Sequence, residues 1–430
     1  MKSKEPAPVA PAATGHRAEQ PHRATAWPEA RAAAARAGTA AGAGREPRRL
    51  PLGQALGQVL AEPLRALTDL PSFDTSAMDG WAVAGQGPWT VRTDTSVLAG
   101  HAPTTGLTDG EAIRIATGAP VPPGTTAVIR TEHSRTAGPL LHALRDVVSR
   151  QDIRPRGQEC RSGDELLPAG TAVTPVVLGL AAAAGYDELP VSPRPRVEVL
   201  VLGDELLTAG LPHAGLIRDA LGPMLGPWLE ALGAEVLGTR RIGDDAEELY
   251  AAVTGSAADV VVTTGGTAAG PVDHLHRVLD KAGATLLVDG VKVRPGHPML
   301  LAALGGGRHL VGLPGNPLAA VSGLLTLAEP LLAALAGTPA TGGGGRGPAP
   351  VLDEVHGHPH DTRLVPVVRR GDHLVALHYN GPAMLRGIAV ADGMAVVPPG
   401  GARSGQELDV LDLPWPPTSG AVPAQGACFT

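Results

Sequence analysis

The chain has 430 residues, with 35 Lys and Arg against 42 Asp and Glu, and a formal net charge of -7. This length exceeds that of one ordinary domain, so we expect several domains, each able to bury its own core. The acidic balance and an aromatic content of 2% argue against nucleic-acid binding, which needs a basic field and base-stacking surfaces. The chain also lacks a long apolar run free of Gly, Pro and charge, so we expect no membrane span.

The two cysteines, Cys160 and Cys428, have no Cys or His neighbour at the spacing of a metal site. A disulfide framework and a zinc centre are therefore not expected. The cysteine usage predicts a cytoplasmic protein, and the N-terminus lacks the apolar core of a secretion signal.

The N-terminal residues 1–45 are rich in Ala, Pro, Gly and Arg and carry few large apolar side chains. Such a composition predicts a disordered tail, because burial would not offset the entropy of ordering it. Residues 50–61 follow with Leu and Val at helical spacing, which predicts a helix at the start of the folded chain.

Residues 67–161 alternate short β-like runs with Gly and Pro turns, which predicts a β-rich domain II. The apolar segment after it, 175–185, predicts a helix that packs on residues 50–61. Residues 46–66 and 162–194 would then form one elongated domain I, into which domain II is inserted.

The loop P-S-F-D-T-S-A-M-D-G-W-A-V brings Asp74 and Asp79 close to glycine and aromatic residues. An Asp-Gly pair such as Asp79-Gly80 most often marks a turn. A functional carboxylate at Asp79 is the alternative.

Residues 195–337 alternate strand and helix patterns at short intervals, which predicts a doubly wound α/β domain III. Ligands of such sheets bind beyond the carboxyl ends of the strands. Gly203-Asp204-Glu205 and Gly265-Gly266 both follow buried strands, so we expect these two motifs to face each other across one crevice.

The motif D-V-V-V-T-T-G-G-T-A-A-G-P-V-D, residues 259–273, is a β-branched strand followed by glycines. Gly265, Gly266 and Gly270 would let the backbone approach a ligand closely, and the amides that begin the next helix favour an anion. Asp273 beside a phosphate would indicate a divalent cation. A plain strand-to-helix turn capped by Asp273 is the alternative.

Further charged residues could line the same crevice. The acidic Asp244 and Asp245 stand at a predicted helix start, and Lys292 and Arg294 supply cations. A helix cap is an equally ordinary role for the two aspartates, and a surface ion pair is one for Arg294. His274 and His276 are predicted to lie on the surface.

The end of domain III reads G-L-P-G-N-P, in which Asn316 is a predicted N-cap and Pro317 opens an apolar helix to about Ala336. A Gly- and Pro-rich linker follows. Residues 350–415 carry short strand patterns that predict a β-rich domain IV, and residues 416–430 are predicted to be flexible.

Several common catalytic motifs do not occur in the chain. It has no G-x-S-x-G or Walker A pattern, and no G-x-G-x-x-G pattern between a predicted strand and a predicted helix. These absences argue against an ordinary serine hydrolase, ATPase or dehydrogenase.

Six motifs taken together resemble the MoeA family of molybdopterin molybdenumtransferases, which is related to the E domain of gephyrin. They are, in the family's order, F-D-T-S-A-M-D-G-W-A-V, R-I-A-T-G-A-P-V-P-P-G, L-G-D-E-L, T-T-G-G-T-A-A-G-P-V-D, R-P-G-H-P and G-L-P-G-N-P-L-A-A. The resemblance as a whole runs over residues 46–415. The resemblance implies an α/β multidomain chain: a doubly wound MoaB/MogA-like domain, an elongated domain, an inserted β-rich domain and a C-terminal β-barrel-like domain. It also implies a homodimer whose active site is shared between the α/β domain of one subunit and the inserted domain of the other.

The implied reaction inserts molybdate into adenylylated molybdopterin, with Mg²⁺-dependent release of AMP. Carried over by position, Glu205 and Asp273 are the expected Mg²⁺ carboxylates, and Asp79, Asp244 and Arg294 are further expected catalytic residues. The remaining expected substrate contacts are Thr264, Gly265, Gly266, Thr267, Gly270, Pro295, Gly296, His297, Pro314, Gly315 and Asn316.

The sequence departs from the family pattern at polar positions. Ala268 replaces a serine, Gly290 falls where a lysine is usual, and Leu221 replaces an asparagine. Arg294 and His297 replace two lysines, of which Arg294 remains a sound anion ligand.

These departures leave two alternatives beside the transferase. One is a carrier that binds molybdopterin or the finished cofactor without turnover, and the other is a scaffolding dimer. Expected protein partners are a molybdopterin adenylyltransferase and molybdoenzymes.

Overall fold

The computed structural model describes residues 24–101, 105–267, 274–338 and 347–415. The chain forms two compact units. We call Met1–Gly44, Arg194–Leu335 and Pro339–Thr430 the α/β unit, and Arg45–Pro193 with Ala336–Thr338 the elongated unit.

The α/β unit begins with a short strand, β1 (Thr25–Ala26), and a helix, α1 (Trp27–Gly42). The predicted disordered tail is therefore wrong for these residues, while residues 1–23 lie outside the described part. Although α1 consists mostly of Ala and Gly, its small side chains let it pack closely on the helical stretch Pro317–Ala336. A Cβ atom on Gly38 would overlap the carbonyl oxygen of Leu331. At its start, the Trp27 indole donates to Thr326 Oγ1 at 3.0 Å.

Arg31 of α1 contacts the same helical stretch and provides a test of how much α1 stabilises the fold. Its guanidinium donates to the carbonyl oxygen of Leu325 and to Glu329 Oε2 at 3.3 Å, and the Glu329 side chain is only 2% exposed. Arg31→Ala is expected to lower the free energy of unfolding by about 3 kcal/mol, because breaking a buried ion pair from one side leaves the charge of the carboxylate less well compensated. Urea denaturation measures this loss. Arg36→Ala, on the exposed side of α1, is the control, and equal stability of the two variants would show that the docking is energetically unimportant.

The elongated unit contains one described α-helix, α2 (Pro175–Ala183), and many short strands. The strands are β2 (Arg48–Pro51), β3 (Leu64–Arg65), β4 (Thr75–Ser76), β5 (Gly80–Val83), β6 (Trp89–Val97), β7 (Glu111–Ile115), β8 (Ala127–Arg130), β9 (Ser134–Ala137), β10 (Leu140–Ala143), β11 (Ile153–Arg154), β12 (Glu165–Leu167) and β13 (Glu188–Val191).

Two pairs of strands tie together the chain segments on either side of residues 67–161. Strand β2 pairs antiparallel with β13, and β3 with β12. Ala55, Leu60 and Val177 share one buried cluster, as the predicted packing of 175–185 on 50–61 requires. The intervening residues carry the sheet β8-β5-β7-β6-β10-β9 with its own apolar clusters. This is the connectivity that an insertion produces.

The predicted helix over residues 50–61 is wrong. The segment contains only a 3₁₀ turn, Leu52–Gln54, after the extended strand β2. Pro51 precedes that turn and Gly57, with φ of +73°, follows it. A proline and a left-handed glycine so close together interrupt a helix, although the apolar spacing suits one.

The central part of the α/β unit alternates strands and helices. The strands are β14 (Arg196–Leu202), β15 (Leu206–Leu207), β16 (Ile217–Arg218), β17 (Glu235–Ile242), β18 (Val260–Thr264), β19 (Thr285–Asp289), β20 (Val291–Arg294), β21 (Leu300–Gly305) and β22 (Arg308–Leu313). The helices are α3 (Gly222–Ala231), α4 (Ala246–Gly255), α5 (Leu275–Lys281), α6 (Pro317–Gly323) and α7 (Glu329–Ala336), the last two joined by the π-helical turn Leu324–Ala328.

Among the described strands, six form one sheet in the order β17-β14-β18-β22-β21-β19. Strands β17, β14, β18 and β22 run parallel, and apolar clusters cover both faces of the sheet. Consecutive valines of β18 point to opposite faces and are buried on both, since Val260 belongs to one cluster and Val261 to the other. The predicted doubly wound sheet is confirmed.

The stretch Pro317–Ala336 is the one described helix that is long and apolar enough to cross a membrane by composition. Most of it is buried inside the α/β unit, against α1 and the sheet. Its apolar composition is thus accounted for by the core.

The C-terminal strands are β23 (Ala349–Pro350), β24 (Val355–His356), β25 (Thr362–Arg370), β26 (His373–Ala376), β27 (Gly393–Val397), β28 (Gly401–Ala402), β29 (Glu407–Leu408) and β30 (Val410–Asp412). They curl around a third apolar cluster. Together with the doubly wound sheet and the elongated unit, these strands confirm the predicted α/β multidomain fold class. A second sheet, β1-β20-β25-β27-β30, joins them to β20 and to the N-terminal strand. The predicted linker centre and residues 416–430 lie outside the described residues.

Candidate active site

Three turns of the α/β unit meet at the carboxyl edge of the parallel sheet. They follow the neighbouring strands β14, β18 and β22. The amide of Gly265 donates to the carbonyl oxygen of Leu313 at 2.9 Å. A Cβ on Gly265 would lie 3.6 Å from the carbonyl oxygen of Leu202, and one on Gly315 would lie 3.7 Å from Gly265 Cα. The Gly203 and Gly265 motifs are therefore neighbours at this edge, and a ligand crevice between them stays a prediction.

The turn after β18 exposes backbone that carries no Cβ at two consecutive positions. Gly265 and Gly266 have φ of +81° and +64°, which L side chains rarely adopt. Thr264 and Thr267 beside them are buried, whereas the two glycines are partly exposed. Residues 268–273 lie outside the described part, so the predicted contributions of Gly270 and Asp273 and the effect of Ala268 remain predictions.

Glu205 is exposed at the end of β14, and its carboxylate folds back over Gly203. A Cβ on Gly203 would overlap that carboxylate, and the φ of Gly203 is +130°. Asp204 lies in the same turn with Oδ1 against Gly243, 2.9 Å from where a Cβ would be. Since Gly243 directly precedes Asp244, the carboxylates that follow β14 and β17 share this edge of the sheet.

Asp244 and Asp245 differ in their roles. Asp244 is exposed, whereas Asp245 is the N-cap of α4 and accepts from the amides of Glu247 and Glu248 at 2.7 and 3.1 Å. These backbone hydrogen bonds lower the pKa of the Asp245 carboxyl. The helix-cap interpretation is thus confirmed for Asp245, whereas Asp244 is exposed shortly after β17.

The exposed carboxylates can serve Mg²⁺ together with a substrate. Within the described residues, no three His, Cys, Asp or Glu side chains lie close enough to hold a metal ion by themselves. Mg²⁺ usually keeps several waters and takes one or two protein carboxylates beside substrate phosphates. The exposed oxygen donors of Glu205 fit that requirement.

The predicted cationic wall is arranged differently from the expectation. Lys292 and Arg294 lie on β20, which leaves the doubly wound sheet and pairs with β1 and β25. The Nε of Arg294 donates to Asp361 Oδ2 at 2.9 Å. The ion-pair interpretation of Arg294 is therefore confirmed, with a partner from the C-terminal strands that the sequence did not suggest.

Gly296 and His297 fix the turn after β20. Gly296 has φ of +114°, and a Cβ there would lie 2.8 Å from Met299 Cε and 3.1 Å from the carbonyl oxygen of Ala319. This close approach seats Pro295-Gly296 on α6. His297 Nδ1 lies 2.8 Å from the carbonyl oxygen of Val291, so the ring braces its own turn.

The start of α6 differs from the expectation for the P-G-N-P motif. Asn316 occupies the N-cap position, but its side chain makes no capping hydrogen bond. The amides of Leu318 and Ala319 instead donate to the carbonyl oxygen of Pro382, at 2.9 and 3.2 Å. These amides therefore bind a loop of the chain itself, while Gly315 and Asn316 remain exposed.

Sequence reasoning missed Arg363, which lies in register beside Arg294 on the neighbouring parallel strand. Its guanidinium donates to the carbonyl oxygen of His356 at 2.7 Å and to Asn380 Oδ1 at 2.9 Å. Burial lowers the pKa of Arg363. No local motif marks this residue, because its neighbour is distant in the sequence.

Predicted surface residue His276 is also paired. Its Nε2 lies 2.9 Å from Asp289 Oδ1, at the carboxyl end of β19, and the side chain is 36% exposed. His274 Nδ1 lies 2.7 Å from the Arg277 guanidinium. Both histidines are half-buried.

In the elongated unit, Asp79 holds a loop in place. Its Oδ1 accepts from the amide and the hydroxyl of Thr117, at 2.7 and 2.9 Å. These hydrogen bonds lower the pKa of the Asp79 carboxyl. Gly80 begins β5. Glycine is needed at this position because a Cβ would overlap the carbonyl oxygen of Ile129 on the neighbouring strand, and not because the residue forms a turn.

Comparison with known proteins gives matches along most of the chain. A family model described as the MoeA N-terminal region, domains I and II, matches residues 25–185. Models described as a probable molybdopterin binding domain and as the MoeA C-terminal region, domain IV, match residues 198–334 and 348–413.

Curated relatives and solved structures agree with these matches. Molybdopterin molybdenumtransferase 2 of Mycobacterium tuberculosis is 36% identical over 306 residues, covering 67% of this chain and 75% of the relative. Molybdopterin molybdenumtransferase of Nostoc sp. is 29% identical over 384 residues, covering 83% and 87%. A crystal structure of a molybdopterin biosynthesis MoeA protein from Pyrococcus horikosii matches with a TM-score of 0.74 and 25% identity, covering 91% of this chain and 99% of that one.

Proposed function

Because the chain belongs to the MoeA family, we propose that it inserts molybdate into adenylylated molybdopterin and releases AMP. The observation that carries this proposal is the meeting of the Gly203, Gly265 and Gly315 turns, with exposed Glu205, at one edge of the parallel sheet. That edge lies within the residues that match the probable molybdopterin binding domain.

The turn Gly265-Gly266-Thr267 is the proposed cradle for the phosphates of adenylylated molybdopterin. Its left-handed glycines bring backbone close to the ligand without a Cβ in the way. Glu205, with Asp273, would hold Mg²⁺, and exposed Asp244 would add negative charge at the same edge. When bound, Mg²⁺ would neutralise the charge of the phosphoanhydride and orient it for cleavage.

The proposed molybdate pocket lies around Arg294, Pro295 and Gly296. Among the described residues, the guanidinium of Arg294 is bonded only through Nε, so its two terminal nitrogens can bind an oxyanion as a fork. Arg363 adds a second positive charge in the neighbouring register position. Molybdate, a tetrahedral dianion, suits such a pair of planar cations.

We further propose that the chain works as a cytoplasmic homodimer, with Asp79 of the partner subunit completing the site. In the described structure, Asp79 is a clamp on the Thr117 loop. Asp79 would therefore shape the surface that the elongated unit presents to substrate. A molybdopterin adenylyltransferase would supply the substrate, and molybdoenzymes would receive the product.

The direct test incubates the purified chain with adenylylated molybdopterin, Mg²⁺ and molybdate, and measures AMP by chromatography. AMP release that depends on both molybdate and Mg²⁺ is the expected result. No AMP, under conditions in which the Mycobacterium tuberculosis relative releases it, would overturn the proposal.

A carrier that binds adenylylated molybdopterin without turnover is the second candidate. The replacements at Leu221 and Gly290 remove polar groups of the family pattern, whereas the Gly265-Gly266 turn keeps its left-handed backbone, which favours binding without chemistry. Isothermal titration with adenylylated molybdopterin distinguishes the two functions. Binding with no AMP release supports the carrier, whereas binding followed by AMP release supports the transferase.

A further inference from the structure

We propose that Asp361 is a positioning residue of the molybdate pocket, which fixes the guanidinium of Arg294 in the orientation that binds the oxyanion. The inference rests on the proposed function, because it assumes that Arg294 contacts molybdate. Asp361 lies directly before β25, so the inference gives the C-terminal strands a role in positioning Arg294.

The contact between the two side chains is close and partly shielded from water. Asp361 Oδ2 accepts from Arg294 Nε at 2.9 Å. The Asp361 side chain is 10% exposed, and that of Arg294 is 47% exposed. The buried end of the pair is thus the carboxylate, and the guanidinium reaches out from it.

The backbone of Asp361 is itself held by His358. The amide of Asp361 donates to His358 Nδ1 at 3.0 Å, and the amide of His360 donates to the same nitrogen at 3.3 Å. The ring nitrogen also lies 3.5 Å from Asp361 Oδ2. A carboxylate fixed through its own backbone can fix its partner, because it has little freedom to follow a moving guanidinium.

Neighbouring charges explain why Arg294 needs such an anchor. Arg363 lies beside it in register, and the partners of the Arg363 guanidinium in the described structure are two neutral oxygens, of His356 and Asn380. Like charges at neighbouring positions repel. Asp361 offsets that repulsion, so both cations can remain at one pocket before the oxyanion arrives.

An alternative role for Asp361 predicts the opposite result. If the carboxylate acted only through its charge, its removal would leave a more positive pocket and molybdate would bind more tightly. If it positions Arg294, removal frees a long side chain, and molybdate binds less tightly. The sign of the change therefore decides between the two roles.

The experiment measures molybdate binding by isothermal titration and the KM for molybdate from AMP release, both with the full chain. Asp361→Ala is expected to weaken binding and raise the KM about tenfold, the cost of ordering one long side chain again. Asp361→Glu, which restores a carboxylate, is expected to recover part of the loss. Tighter binding by Asp361→Ala would overturn the proposal.

A second set of variants tests whether Asp361 acts through Arg294. In an Arg294→Gln background, Asp361→Ala is expected to change molybdate binding less than twofold, because two residues that act as one unit are not additive. Equal losses in both backgrounds would overturn the proposal. The control is Glu198→Gln, which breaks the similarly exposed pair with Arg240, whose side chains are 12% and 51% exposed, and should leave molybdate binding unchanged.

Failure of the inference can be told apart from failure of the proposed function. If the wild-type chain binds molybdate but releases no AMP, the proposed transferase activity is contradicted. The titration with the Asp361 variants then still tests the role of Asp361. Wild-type chain that does not bind molybdate overturns the role of Asp361 as well.

Discussion

Glu205→Gln is expected to lower the rate of AMP release about 100-fold or more while leaving the fold unchanged. The substitution keeps the size of the side chain but removes the negative charge proposed to hold Mg²⁺ beside the phosphoanhydride. Loss of such charge stabilisation is worth several kcal/mol in the transition state, and about 1.4 kcal/mol corresponds to a factor of ten in rate. Single-turnover AMP release at saturating substrate measures the effect.

The position of Glu205 makes this prediction specific to activity. Because the residue is exposed, its substitution is expected to change the free energy of unfolding by less than about 0.5 kcal/mol. Glu235→Gln is a matched control, since Glu235 is also exposed but begins β17, at the amino edge of the sheet. If both variants retained full activity, the carboxyl-edge site would be in the wrong place. If raised Mg²⁺ partly restored Glu205→Gln, a metal-holding role would be supported.

The α/β sheet and its edge were predictable because the signals are local. A run of β-branched residues followed directly by glycines, as in Val260–Thr264 and Gly265-Gly266, sets both the strand and the sharp turn after it. Parallel neighbours then bring every such turn to one edge. The N-cap role of Asp245, one of the two roles considered for it, was likewise predictable from its place at a helix start.

The contacts that the sequence did not predict link distant residues. Arg294 pairs with Asp361, and the start of α6 binds Pro382, through strands that join the α/β sheet region to the C-terminal strands. Hydrophobic periodicity reports which face of an element is buried but not which element covers it. A guanidinium or a helix start therefore shows no local sign of its partner.

The N-terminal helix α1 was missed for a different reason. Low side-chain volume predicts little burial, yet Ala30 and Ala34 are fully buried because small residues let two helices approach closely. Composition indicates how much apolar surface a segment can bury. It does not indicate how closely the backbone of that segment can approach another helix. Trp27 and Arg31 are the large side chains of α1 that form hydrogen bonds with the neighbouring helical stretch.

Gly80→Ala is expected to be the most damaging single-methyl change at the proposed Asp79 surface. The added Cβ would overlap the carbonyl oxygen of Ile129 on the paired strand β8 and lie 3.0 Å from Arg130 Cα. Both are backbone atoms, so the two strands must separate. The cost is expected to be about 3 kcal/mol in the free energy of unfolding of the elongated unit, the upper part of the range for overpacked sites.

The damage should extend to Asp79, which directly precedes Gly80 and holds the Thr117 loop. Hydrogen exchange is expected to rise in β5 and β8 and in the Thr117 loop, and AMP release should fall. Gly179→Ala is the control with the opposite sign, because Gly179 lies exposed in α2 with open space around it, and alanine favours a helix by about 0.5–1 kcal/mol. If Gly80→Ala were as stable as the wild type, the backbone of β5 would have to lie farther from β8 than the structure places it. The need for glycine beside Asp79 would then require a cause other than this close strand approach.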